Sequence, residues 1–326
     1  MNQQSWTDRI PWTLVITLAA AMVPFVTSRY YVDLATYIAI FAIFATSLNL
    51  LLGTTGLVPF GHAAYFGIGS YVCGLLMGEL KVPFLLAFVL GGVGGAIFAA
   101  LFGFFCVRLT RVYFSMLTLA CAQIVWAICF KWNEVTGGEQ GYPRVPMPDM
   151  AFLDWLPVSG RGLITAKFYL VALVLAAVCI AAMRRITKSP FGRILNTIRD
   201  NAERAQFIGI DVRRYQLFAF IIAGGFAGLA GGLFGIYKRG VFPDYAYWTK
   251  GAEVLIMSIL GGINHFWGPT VGSAVLILLN GVVVSYTEYW PFVLGSILLF
   301  LLFAFPGGLL GGIEALYRRL RGQANA

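Results

Sequence analysis

The sequence predicts an all-α polytopic membrane protein, a helix bundle of about ten membrane segments that includes broken or half helices. Hydrophobic residues make up 59% of the 326 positions and charged residues only 11%, whereas soluble proteins have roughly 45–50% and 25%. Many apolar runs are also long enough to cross a hydrocarbon layer roughly 30 Å thick. This composition excludes a soluble enzyme. It also excludes nucleic-acid binding as the reason for the +9 net charge, because the excess Lys and Arg lie between apolar runs.

The apolar runs give the elements in chain order. The short run 252–262 cannot cross alone, so we interpret it as a half-helix descending from outside. The run 11–27 is kept as a helix, because it lacks the preceding basic residues and the cleavage site of a signal peptide. The nine longer runs are 11–27, 32–52, 62–78, 83–107, 112–130, 166–183, 216–237, 267–285 and 289–310.

Basic residues set the predicted orientation. The stretch 184–214 is rich in Arg and Lys, so the positive-inside rule assigns it to the cytoplasm. Counting spans outward then assigns the acidic loop 131–165 to the other side, and both chain ends to the cytoplasm. Residues 1–326 are therefore predicted to form a single transmembrane domain with one long loop on each side.

Two interruptions of the apolar pattern carry the functional prediction. The Gly-rich and Pro-containing stretches 53–61 and 261–269 break what would otherwise be helices. Lipid cannot satisfy non-helical backbone, and paired interrupted segments are typical of solute paths. In the alternative interpretation both breaks are short cytoplasmic turns, with His62 and His265 as helix caps. The path candidates from this pattern are Asn49, Gly53, Gly56, Gly61, His62, Glu253, Gly261 and Gly262.

Other features predict packing rather than chemistry. Gly224, Gly228 and Gly232 are spaced by four, as are Gly91 and Gly95, and small residues at this spacing let helices approach closely. The five cysteines form no Cys-x-x-Cys pair, so no metal or cofactor is expected. No phosphate-binding loop or hydrolase motif occurs in the sequence, so no catalytic residue is predicted. Glu253 is the main ionisable group within an apolar run, whereas proton-driven carriers usually have several, so energy is expected from elsewhere.

The cytoplasmic stretch predicts two short helices. Ser189 followed by proline is a good helix start, and apolar residues then recur at i, i+3, i+4 and i+7. Asp200 and Glu203 indicate a second start, and Gly209 a stop. The first helix is basic and amphipathic, so it could lie on anionic membrane lipids. We favour instead that its apolar stripe docks into a partner protein.

Several motifs, in order, resemble the inner-membrane permease subunits of branched-chain amino acid ABC importers, of the LivM type. They are Leu48–Leu50 with Gly53 and Gly56, 60–71, Thr118–Ala120 with Gln123, 136–138 with Gly141, 189–193 with 198–201, Gly209–Ile210 with Phe218–Phe220, and 260–262 with 268–269. The resemblance covers most of the chain. Ala202 departs from it, since the family often has an acidic residue there.

The resemblance implies a bacterial inner-membrane permease that is not itself an enzyme. It implies a second permease subunit, two cytoplasmic ATP-binding subunits and a periplasmic solute-binding protein. Related members carry urea or amides, and a stand-alone carrier or channel is the alternative. The resemblance adds Gln123 to the path candidates and makes 131–165 a periplasmic loop. It suggests binding-protein docking at Thr136, Gly137 and Gly138, and ATPase coupling at Pro190, Phe191, Gly192, Arg193, Ile194, Leu195, Ile198 and Gly209.

Overall fold

The structure is a computed structural model that describes residues 28–109, 111–148, 150, 163–286, 288–305, 307–312 and 314. Over these residues the chain is helical, apart from one isolated antiparallel bridge between Tyr142 and Val241. The all-α prediction is confirmed at this level. The predicted helix 11–27 and both chain ends lie outside the described residues.

Twelve α-helices are bounded within the described residues, and two 3₁₀ turns, Gly138–Gln140 and Pro243–Ala246, lie between them. The α-helices are α1 (Arg29–Thr55), α2 (Ala63–Gly78), α3 (Phe84–Cys106), α4 (Arg111–Lys131), α5 (Asn133–Thr136), α6 (Leu163–Lys188), α7 (Pro190–Asp200), α8 (Ala202–Phe207), α9 (Val212–Tyr237), α10 (Trp248–Gly261), α11 (Gly268–Tyr286) and α12 (Trp290–Ala304).

Among the described residues, six helices are long and apolar enough to cross a membrane, namely α1, α3, α4, α6, α9 and α11, and α2 and α12 hold shorter apolar stretches. The protein is therefore a multi-pass membrane protein, while the count of ten segments remains a prediction. The predicted span 289–310 is too long, because α12 ends at Ala304 and Gly308 takes a left-handed φ of 76°. Exposed apolar side chains on α3 recur every four residues at Leu85, Val89, Val93 and Ile97, as a lipid-facing stripe requires.

Glycine contacts hold the centre of the bundle together. A Cβ at Gly95 would lie 2.5 Å from the Gly224 carbonyl oxygen, and one at Gly228 would lie 2.6 Å from the Gly91 carbonyl oxygen. Side chains at these positions would force α3 and α9 apart, and the dispersion contacts that drive helix association in lipid would be lost. The predicted packing role of these glycines is confirmed.

Candidate functional site

The first predicted break returns the chain into the bundle between α1 and α2. α1 ends before Gly56, whose φ of 77° is left-handed. The non-helical chain then runs back beside α1, and the Nε2 atom of His62 lies 2.9 Å from the Ser47 hydroxyl oxygen. Because Ser47 precedes Gly56 by about nine helical residues, α2 begins about 14 Å deeper in the bundle than the end of α1.

Protein groups, not lipid, surround this return segment. The Ser115 hydroxyl of α4 donates a 2.7 Å hydrogen bond to the Val58 carbonyl oxygen. A Cβ at Gly61 would collide with the Thr118 carbonyl group on the same helix, so a glycine is needed for this close approach. Non-helical backbone deep in a membrane protein requires such partners.

The path candidates at this break are mostly buried. Asn49 is 6% exposed, and its Oδ1 atom has no hydrogen-bond partner among the described residues. The His62 ring is buried and stacks on Phe44 with centroids 5.5 Å apart. His62 occupies the N-cap position of α2 but makes no side-chain capping bond, so its alternative role as a cap is wrong. Gly53 is buried, Gly56 is exposed, and Gln123 is half-buried on α4.

The second predicted break, 261–269, lies at the bundle end where α1 terminates. A Cβ at Gly53 would collide with the Ile263 carbonyl oxygen. Gly261 and Gly262 are buried, and Gly262 has a φ of 110°. This break is therefore a tight turn at the end of the bundle, as the alternative interpretation requires. The two breaks therefore lie at different depths, since only the first returns into the bundle.

The segment that reaches the depth of the first break is instead 240–247. A Cβ at Gly74 would lie 2.6 Å from Val241, and one at Gly67 would lie 2.5 Å from Ala246. The segment thus descends along α2 by about seven helical residues, or about 10 Å. The sequence analysis did not identify this segment, although the pair Gly240 and Pro243 is a signal of an interrupted segment.

Two half-helices consequently begin beside each other and run in opposite directions. A Cβ at Gly251, in the first turn of α10, would lie 2.9 Å from the Phe60 carbonyl oxygen, just before α2. α2 runs from there to Gly78, which contacts Tyr142, whereas α10 runs toward the turn at the end of α1. Discontinuous helices that meet inside a bundle are typical of solute-binding regions in transporters.

A cluster of charged and aromatic side chains lies at the start of α10, and we call it the charged aromatic cluster: Tyr37, Phe41, Lys238, Lys250 and Glu253. Lys250 Nζ lies 2.7 Å from Glu253 Oε2, and the two side chains are 25% and 23% exposed. Lys250 Nζ also lies 5.6 Å from the Phe41 ring centroid, and Lys238 Nζ lies 5.3 Å from that of Tyr37.

Desolvation and the nearby Lys250 charge lower the pKa of Lys238, which follows α9. Sequence analysis identified Glu253 but missed both lysines. The Lys250–Glu253 spacing of three residues on a helix was the available signal.

The first cytoplasmic helix begins as predicted, since Ser189 Oγ accepts a 3.3 Å hydrogen bond from the Gly192 N–H and proline follows the cap. The stripe, however, is not free for a partner. Leu195 and Ile198 are 0% and 3% exposed, and α7 packs against α1, α6 and α9. Gly192 is buried against the Thr187 carbonyl group. The assignment of these three residues to an external contact is corrected, because the bundle itself already covers them.

The other coupling candidates are more accessible. Phe191 is half-buried and stacks on Tyr215, Ile194 is also half-buried, and Pro190, Arg193 and Gly209 are exposed. The second helix starts one residue later than predicted, because the side chain of Asn201 is its cap and accepts from the Arg204 N–H over 2.9 Å.

The largest apolar exposure in this loop lies at the end of α8. Phe207 is 88% exposed and Ile208 71% exposed. Gly209 follows with a left-handed φ of 86° and ends the short helix as predicted. Sequence reasoning missed Phe207 and Ile208, because it looked for a periodic stripe and these two residues are adjacent.

Arg199 joins this loop to both breaks. Its Nη1 atom donates to the Gly53 carbonyl oxygen, and its Nη2 atom donates to Asn264 Oδ1 over 2.7 Å. The rigid planar fork of the arginine presents two N–H groups in fixed directions, one to each acceptor. The side chain therefore fastens the end of α1 and the turn after α10 to α7.

The Thr136–Gly138 turn on the opposite long loop is built from internal bonds. The Thr136 hydroxyl lies 2.6 Å from the Cys129 carbonyl oxygen and 2.7 Å from that of Trp132. Gly137 and Gly138 both have positive φ. Thr136 and Gly138 are buried and Gly137 is half-buried, so the exposed neighbours offer more surface to a partner than these residues do.

The described part of the chain contains no group of His, Cys, Asp or Glu side chains able to hold a metal ion. All five cysteines are free and buried. Burial of a thiol in apolar surroundings suits a packing role.

Comparisons with known proteins give a consistent set of relatives. Residues 30–303 match the family described as branched-chain amino acid transport system / permease component. The chain is 28% identical to the high-affinity branched-chain amino acid transport system permease protein LivM of Escherichia coli (strain K12), over 91% of this chain and 73% of that protein. It is 26% identical to the corresponding LivH of Salmonella typhimurium, over 84% and 92%. No solved structure matches this chain.

Proposed function

This chain belongs to the family of permease components of branched-chain amino acid transport systems, and on that premise we propose that it is the permease subunit of an ABC importer. It carries branched-chain amino acids, or a related small polar solute such as urea or an amide, across the bacterial inner membrane. The family match over residues 30–303 carries this proposal. ATP is hydrolysed on partner subunits, and this chain contributes the path.

The opposed half-helices support a path at the start of α2 and α10. Solute would pass between this chain and a second permease, near the return segment 56–62 and the exposed face of α10. Glu253 is half-buried on that face, and Ile256 and Ile259 are 40% and 37% exposed. Asn49 supplies an unpaired buried oxygen one helical turn before Gly53, and Gln123 lies next to the Gly61 contact on α4.

The loop 184–214 is proposed as the cytoplasmic coupling loop that meets an ATP-binding subunit. Phe207 and Ile208 supply the apolar contact in place of the buried stripe, and Arg193 is also exposed in this loop. Movement of the loop would reach the path through Arg199, which bonds to both breaks.

The topology completes the proposal. Residues 1–326 form one transmembrane domain of ten segments with both ends in the cytoplasm. Loop 131–165 is periplasmic and docks the solute-binding protein. Within the described residues, the exposed acidic side chains Glu134 and Glu139 flank the Thr136–Gly138 turn and favour a basic partner surface.

Reconstitution tests the function directly. The chain is placed in liposomes with the second permease, the ATP-binding subunits and the binding protein encoded with it, and uptake of radiolabelled leucine is measured with and without ATP inside. Uptake that requires ATP and the binding protein is expected. Equal uptake by the chain alone without ATP would instead identify a stand-alone carrier or channel.

A further inference from the structure

The charged aromatic cluster keeps an ion pair in a largely apolar environment. The Lys250–Glu253 pair is about three-quarters covered and lies where α10 begins beside Phe60, deep in the bundle. Ionisable side chains at such depth are costly and often mark solute or ion paths. A partly buried pair is also seldom more stable than apolar side chains of the same size. Stability alone therefore gives no reason to keep these two residues.

The ion pairs around the cluster leave one cation, Lys238, without a carboxylate partner among the described residues. The Tyr237 ring centroid lies 5.3 Å from Lys238 Nζ. The Tyr237 hydroxyl donates a 3.2 Å hydrogen bond to the backbone carbonyl oxygen of Asp33. The Asp33 side chain pairs with Arg29, and Lys250 pairs with Glu253. Lys238 forms no ion pair among the described residues, so a solute carboxylate can pair with it while the solute ammonium pairs with Glu253.

The cluster is accessible at Lys238, whereas the part of α1 beyond it is buried. Tyr37 and Tyr237 are half-buried, and Lys238 is exposed. Farther along α1, every residue from 39 to 51 is buried. The aromatic wall continues inward, since the Tyr37 ring stacks on Phe41 with centroids 4.7 Å apart. A solute can therefore reach the cluster from the side of Tyr37 and Lys238, with Phe41 as its inner wall.

We propose that the charged aromatic cluster is a binding station for a zwitterionic α-amino acid with an apolar side chain. The solute carboxylate pairs with Lys238 and Lys250, and the solute ammonium pairs with Glu253. The apolar side chain packs on the ring faces of Tyr37 and Tyr237, where dispersion contact favours a branched aliphatic group. The station rests on the proposed function and narrows its solute class, because urea and neutral amides carry no charges with which to replace the ion pair.

Two variants separate a station from a structural ion pair in the reconstituted complex. Glu253→Gln keeps the shape and removes the charge, and leucine uptake is expected to fall at least tenfold. The exchanged pair, Lys250→Glu with Glu253→Lys, restores an ion pair at the same helical spacing. Uptake should stay low in the exchanged pair, because its carboxylate and ammonium face the wrong ends of the solute. Glu314→Gln, which loses the His265 contact elsewhere in the chain, is the matched control and should keep uptake.

A binding measurement on the solubilised complex keeps this test separate from that of the overall function. Leucine, but not urea, should raise the melting temperature of the wild-type complex, and Glu253→Gln should remove that shift. Recovery of uptake in the exchanged pair, or normal uptake in Glu253→Gln, would overturn the station. A leucine-dependent shift without ATP-driven uptake would support the station and count against the importer. A shift caused equally by urea would contradict the zwitterion.

Discussion

Removing the Arg199 side chain should uncouple ATP hydrolysis from solute movement. Its two hydrogen bonds join α7 to Gly53 and to Asn264. Hydrogen bonds from a charged donor contribute about 1.5–3 kcal/mol each, and the lower end applies because the Asn264 bond is exposed. We take about 1.5–3 kcal/mol for the two together, which corresponds to roughly a 10–150-fold shift between fastened and released states.

The assay compares ATP hydrolysis with leucine uptake in proteoliposomes that contain the full complex. Arg199→Gln should raise hydrolysis in the absence of binding protein about tenfold, and should lower uptake per ATP by a similar factor. Arg199→Lys keeps the charge but loses the fork, so it should behave similarly with a smaller effect. Arg204→Gln removes an exposed charge from α8 and serves as the control.

A double-mutant cycle with Asn264→Ala tests the physical link itself. If the Arg199–Asn264 bond transmits the movement, the effect of the double variant should be smaller than the sum of the two single effects. An unchanged ratio of uptake to hydrolysis in Arg199→Gln would refute the reasoning. If the effects of the two single variants add fully in the double variant, the movement is transmitted by the Arg199–Gly53 bond and not by the Arg199–Asn264 bond.

Three further predictions concern the path, the topology and the coupling loop. Asn49→Leu removes a buried amide oxygen that has no hydrogen-bond partner among the described residues, so it should stabilise the complex by about 1 kcal/mol in thermal unfolding. It should nevertheless lower uptake at least tenfold, and normal uptake would make Asn49 a packing residue. A cysteine at exposed Glu139 should react with impermeant maleimide from outside spheroplasts, and labelling only in inverted vesicles would reverse the topology. Phe207→Asp should release the ATP-binding subunit in a pull-down, whereas Lys188→Asp, at an exposed position of the same loop, should not; retention of the subunit in both variants would exclude Phe207 from the contact.

Much of the helix framework could be predicted because its signals are local. A run of apolar residues must form its backbone hydrogen bonds within itself in lipid, so the spans from 32–52 to 267–285 correspond to α1, α2, α3, α4, α6, α9, α10 and α11. The cap at Ser189 could also be predicted, because it depends on one turn of helix. The glycine faces of α3 and α9 could be predicted because they depend on a four-residue spacing.

Only the tertiary structure could show how deep each break lies and which residues cover the apolar stripe of α7. The composition of 53–61 and 261–269 is similar, yet only the first reaches into the bundle, because depth depends on where the neighbouring helices begin and not on the break itself. The stripe on α7 indicated that one face must be covered, but periodicity does not say by what, and the chain covers Leu195 and Ile198 itself.

The candidate site was also predicted only in part from the sequence. The sequence by itself determined that Glu253 is a rare charge in an apolar segment, since that follows from composition along the chain. The tertiary structure alone decided that Tyr37, which is far from Glu253 in sequence, and Lys238, which follows α9, stand beside the Lys250–Glu253 pair. The physical reason is that a charge deep in a membrane protein is tolerated only with partners, and packing brings those partners from other helices.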